Sequence, residues 1–130
     1  MPPAPVARFN CIDGNTPYNA RLRALSDRKS AFAVTPVIVR EILQGVADER
    51  EFALLDEYLS SQTMLLPQHP VDTHRGAARL YFDCRRRGFT PRSIVDCLVA
   101  QIALEYGVPL LHNDRDFERI ARVATNLEFA

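Results

Sequence analysis

"SIVDCLVAQIALEYGVPLLHNDRDF", residues 93–117, changes its structural period twice in one short stretch. Ser93 precedes a run that is apolar nearly all round, the mark of a buried helix, and Gly107 stands just past its end, where a left-handed cap favours glycine. "VPLLHN" then reads as a short strand and "RDFERIARV" as another helix. Charge arrives where the strand stops, in His112, Asp114, Arg115 and Asp116. Helix, strand, helix in that order is the unit of a parallel sheet covered on its faces by helices.

The same alternation continues towards the N-terminus. "AFAVT" (31–35) is a short apolar run followed by Pro36, with Thr35 as the expected N-cap of a helix over "VIVREILQGV". Asp48 opens a second amphipathic helix to residue 61, with Phe52, Leu55 and Leu59 on one side. "TMLLP" (63–67) reads as a strand closed by proline, and residues 71–87 as a helix with Ala77, Leu80, Tyr81 and Cys84 at helical spacing, ended by Gly88. A surface helix is expected over residues 17–29 and a last strand at "NLEFA". Strands separated by one or two helices predict an α/β fold, three layers α/β/α around a mainly parallel sheet, with the functional crevice beyond the carboxyl ends of the strands.

The chain has 130 residues, 47% of them hydrophobic, which suits one domain. Sixteen basic and sixteen acidic residues cancel, so any contact with nucleic acid must come from a local patch. Arg85, Arg86, Arg87 and Arg92 are candidates, with helix capping as their bland alternative. Cys11, Cys84 and Cys97 have no metal-binding spacing and read as reduced apolar fillers, which points to a cytoplasmic protein. No apolar run reaches membrane-spanning length.

Three acids occupy places where an acid is costly. Asp114 follows its strand directly and should enter the crevice; Glu41 shares the core-facing side of its helix with Val37 and Ile38; Asp96 is the single charge in the first turns of the most apolar helix. Ser93-x-x-Asp96 also fits a capping box, Glu41 also fits a boundary position, and Asp114 and Asp116 also fit helix caps. Carboxylates brought together repel unless a divalent cation lies between them, and all-oxygen donors favour Mg²⁺ or Mn²⁺. His112 lies two residues from Asp114, but a side chain past the strand end need not share its face, and His69 and His74 read as surface residues.

"AVTPVIVREILQG" (33–45), "AARLYFDCRRRG" (77–88) and residues 93–117, in this order, resemble the PIN-domain ribonucleases of the VapC type, the toxin half of a VapBC toxin–antitoxin pair. The resemblance implies an endoribonuclease that cleaves RNA with a metal-activated water, leaving 5′-phosphate and 3′-hydroxyl ends. It further implies a VapB-like antitoxin and, often, a homodimer. By position, Glu41, Asp96 and Asp114 match the family's metal-binding acids, with Asp116 auxiliary.

The likeness begins near Asn15, so residues 1–14 read as an atypical segment and 15–130 as a single PIN-like domain. The family opens on an apolar strand ending near an aspartate; here "MPPAPVARFNCIDGN" has three prolines in its first five residues, a poor central strand, and puts about Ala4 at the aspartate's place. The first strand is therefore expected to be atypical or missing. Three readings stay open: Asp13 replaces the lost acid; the chain is a degenerate, non-catalytic module that binds an antitoxin or RNA; or the N-terminus reflects a misplaced start or shifted frame.

Overall fold

The computed structural model describes residues 5–7, 32–112 and 115–129. Four short strands, β1 (Val6–Ala7), β2 (Ala33–Val34), β3 (Thr63–Met64) and β4 (Leu110–Leu111), form one sheet in the order β3-β2-β1-β4, every pair parallel. Val6 stands opposite both Ala33 and Leu110. The five described helices are α1 (Pro36–Gln44), α2 (Glu49–Ser60), α3 (Pro70–Arg86), α4 (Ile94–Tyr106) and α5 (Arg115–Val123). Parallel strands need long crossovers, and the helices provide them. α1 packs on α2, α3 lies along α4, and both α3 and α4 meet α5, giving the expected α/β/α layers.

Local chemistry sets the boundaries. Asp48 accepts a hydrogen bond from the Glu51 N–H at 2.8 Å, and Ser93 accepts one from the Val95 N–H at 3.2 Å, each quieting an orphan donor at a helix start. α3 ends in a Schellman turn: Gly88, at φ 87°, sends its N–H to the Arg85 carbonyl and Phe89 bonds back to Cys84. Gly107, at φ 62°, closes α4. The expected last strand is reduced to a single parallel bridge between Phe129 and Leu110. The helix expected over residues 17–29 lies outside the described residues.

The first strand corrects the reading of the prolines. It is present, it is the inner strand between β2 and β4, and Val6 and Ala7 are fully buried. A proline withholds only its own proton, and the ladder asks none of Pro5: the Val6 N–H donates to the Pro109 carbonyl at 3.0 Å, and Pro5 serves as an acceptor for the Ala33 N–H at 2.7 Å. The strand reaches Ala7, three residues beyond the Ala4 at which the sequence placed its end.

The core joins both sides of the sheet. Val6, Val34, Ile38, Leu55, Val99, Leu110, Phe117 and Ile120 are all fully buried. At roughly 1.5–3 kcal/mol for each large apolar side chain removed from water, these contacts supply most of the drive that offsets chain entropy. They also fix where β2, β1 and β4 end, and hence where the crevice lies.

Candidate active site

Asp96 stands in the first turn of α4. That helix buries Val95, Cys97, Val99, Ala100, Ile102 and Ala103, yet holds a carboxylate at 2% exposure among them. The helix N-terminus, carrying about half a positive charge, makes that burial less costly. Ser93 caps the same helix through its side chain, accepting from the Val95 N–H at 3.2 Å.

Asp116 comes from the first turn of α5 and is also 2% exposed. One of its oxygens, Oδ2, accepts from the Arg92 N–H at 3.1 Å and from Arg92 Nε at 3.4 Å. The segment before α4 is thereby tied to the start of α5. Arg92 thus pairs with Asp116 through Nε while its side chain stays 74% exposed. Asp116, for its part, is a buried anchor and not a solvated cap.

Cys97 follows Asp96 in α4 and is almost wholly buried. Its thiol is pushed up to about 12, first by burial, then by Cys84, and then by the negative charges of Asp96 and Asp116. The thiolate is the form that binds metal, so Cys97 remains a neutral apolar filler. Cys84 is buried and raised for the same leading reason.

Thr35, at the carboxyl end of β2, was expected to cap α1. It occupies the N-cap position with extended backbone, but its side chain makes no cap bond. Its Oγ1 is buried without a hydrogen-bond partner, and the residue is fully buried. Sequence had no signal for this, because a threonine before a proline reads as a cap whichever way its hydroxyl turns.

Glu41 is half-buried on α1, whose core face is made by Ile38 and Ile42. Asp114 and Asp13 lie outside the described residues. His112 packs its ring 5.0 Å from Phe117 and 4.4 Å from Phe129, centroid to centroid, as part of an aromatic cluster. His69 is exposed at the N-cap of α3, and His74 is exposed on the same helix.

Beside the acids an apolar hollow of about 730 Å³ runs between α1, α3 and α4. Val37, Arg40, His74, Tyr81, Val95 and Leu98 are among its walls. Ile94, at its edge, is 75% exposed, unusual for an aliphatic side chain of that size.

The described donors are all oxygen: two buried carboxylates and one unpartnered hydroxyl. That chemistry suits a hard divalent cation and not a thiophilic one. Among the described residues no three acid, histidine or cysteine side chains cluster as a metal site.

Comparison with known proteins agrees with the fold. The PIN domain family model matches residues 10–123. VapC ribonuclease Mb1587 of Mycobacterium bovis and ribonuclease VapC11 of Mycobacterium tuberculosis are each 38% identical over 108 residues, covering 83% of this chain and 79% of theirs. With a parallel sheet covered by helices and this similarity along most of its length, the chain belongs to the VapC-type PIN-domain ribonucleases.

Proposed function

We propose that the chain is the endoribonuclease toxin of a type II toxin–antitoxin pair, hydrolysing RNA in the cytoplasm with Mg²⁺ or Mn²⁺ held by Glu41, Asp96 and Asp114, and with Asp116 as the auxiliary acid. The supporting observation is that Asp96 and Asp116, twenty positions apart, are each 2% exposed in the first turns of α4 and α5, two helices that pack together. Two buried like charges in one neighbourhood are costly without a cation.

A divalent ion there would act as a Lewis acid towards phosphate oxygen and make water more acidic. The protein's part is to hold its oxygens still and keep bulk water out. α4 fixes Asp96 because its apolar sides are packed, and Val95 and Cys97 shield it. Asp116, held by Arg92, orients its neighbours. In the reaction, water adds to phosphorus, the bond to the 3′ oxygen breaks, and that oxygen takes a proton, leaving a 5′-phosphate and a 3′-hydroxyl.

β1 offers only Val6 and Ala7 and no acid. Unless Asp13 supplies the missing carboxylate, the site binds its cation more weakly and turnover is expected to be slow. The apolar hollow between α1, α3 and α4 suits the apolar face of an amphipathic helix, which is how a VapB-like antitoxin would dock. The same hollow supports the second reading, a degenerate module that binds its antitoxin without turning over RNA.

Incubation of the purified protein with RNA, with Mg²⁺ or EDTA, beside Glu41→Gln and Asp96→Asn separates the two. The enzyme reading requires cleavage that EDTA stops and both substitutions abolish. Cleavage indifferent to all three rejects the mechanism, and complex formation with a small partner in the absence of any cleavage selects the second reading.

A further inference from the structure

A second hollow, of about 450 Å³, lies on another flank of α3, between its C-terminal end, the segment that follows, and α5. Its walls carry Arg87, Arg119 and Arg122 together with Phe89, Cys84 and Val123, and no acid. The ion pairs of the described residues involve none of these three arginines. The ends of α3 and α5 meet here and bring roughly half a negative charge each. Set against three guanidinium groups, that leaves about two positive charges unanswered in a chain whose total charge is zero.

The hollow is built, not a chance meeting of side chains. Residues 87–92 run beside α5 and are tied to it at both ends. At one end Arg87 Nη1 donates to the Arg122 carbonyl at 3.1 Å; at the other Arg92 holds Asp116. The Arg119 guanidinium lies 5.0 Å from the centre of the Phe89 ring, which fixes its plane and leaves its edge N–H groups to a ligand. Arg119 and Arg122 follow Asp116 at spacings of three on α5, rising about 4.5 and 9 Å along the axis from that acid.

We propose that this hollow is a phosphate subsite that holds the RNA backbone beside the cleavage point. The inference rests on the ribonuclease reading and adds a place on the protein where substrate is held. Arginine forks match phosphate oxygens in pairs, and the Phe89 ring backs the Arg119 guanidinium so that its edge N–H groups can meet a phosphate.

The test is binding of a fluorescent single-stranded RNA in EDTA, where nothing turns over, measured across a range of salt for wild type, Arg119→Gln/Arg122→Gln and Asp96→Asn. The double variant is expected to bind on the order of tenfold more weakly, and its slope of log K against log salt to fall by about 1.4, since each phosphate contact on a single strand contributes about 0.7. Asp96→Asn should bind at least as well as wild type. Unchanged affinity and slope in the double variant overturn the proposal. So does weaker binding at an unchanged slope, which marks a structural effect, or loss of affinity for an acidic protein partner while RNA binding stays intact. Should the double variant not fold, photo-crosslinking of 4-thiouridine RNA to the wild type decides: adducts on residues 84–92 or 119–123 support the subsite, and adducts only elsewhere refute it. If wild type binds RNA through these arginines but never cleaves it, the ribonuclease reading fails alone; if it cleaves and the arginines do not matter, the subsite fails alone.

Discussion

Arg92 grips Asp116 twice, by its main-chain N–H at 3.1 Å and by its Nε at 3.4 Å, and so joins the entrance of one helix of the crevice to the entrance of another. The two contacts differ in worth. The Arg92 side chain is 74% exposed, so its ion pair is screened, whereas the main-chain bond reaches a carboxylate only 3% exposed. Arg92→Ala should therefore cost under about 1 kcal/mol and Asp116→Ala roughly 1–3 kcal/mol. Urea denaturation of both variants checks the order; a larger loss from Arg92→Ala would show that the guanidinium is the main tie.

Phe117 follows Asp116, is fully buried, and packs against His112. Phe117→Ala should destabilise by about 3–5 kcal/mol, whereas Phe82, 41% exposed on α3, should lose under about 0.5 kcal/mol on the same change. Chemical denaturation checks both, and near-equal losses would mean that the core is drawn in the wrong place.

Thr35→Val replaces a buried hydroxyl that has no partner by a methyl of similar shape. A stability gain on the order of 1 kcal/mol is expected, because the desolvation cost disappears and no bond is lost. Thermal melting measures it. A clear loss would show that the hydroxyl is satisfied in solution by a group the crevice recruits.

The thiol of Cys97 is held far above its ordinary value of 9.0, to about 12. The folded chain keeps this proton where the unfolded chain has released it, so the group's contribution is intact below about pH 9 and declines as pH rises towards about 12. Alkaline unfolding should consequently be less steep in Cys97→Ala. In the native protein at pH 8, iodoacetamide should leave Cys97 unlabelled, which peptide mass spectrometry checks; rapid labelling would contradict its burial.

Much of the frame was legible because it rests on local chemistry. Asp48 and Ser93 cap the helices they precede, Gly88 and Gly107 take the left-handed turns, and α5 spans the residues its period marked. β1 was misjudged because three prolines argue against a strand in general, while the actual ladder draws its protons from Val6 and Ala33. Thr35 and Asp116 show a second limit: identical residues serve as cap, orphan or buried anchor according to what packs over them, and that is settled by distant parts of the chain. The hollow lined by Arg87, Arg119 and Arg122 was hidden for the same reason, since it joins the end of α3 to the end of α5.

In the proposed mechanism, acids from separate elements hold one divalent ion at the mouth of the sheet. Titration with Mn²⁺ followed by electron paramagnetic resonance tests it without recourse to activity. One bound ion per chain is expected in the wild type, displaced by Mg²⁺ and lost or greatly weakened in Asp96→Asn, Asp114→Asn and Glu41→Gln alike. Retention of the same Mn²⁺ affinity in all three variants would contradict it.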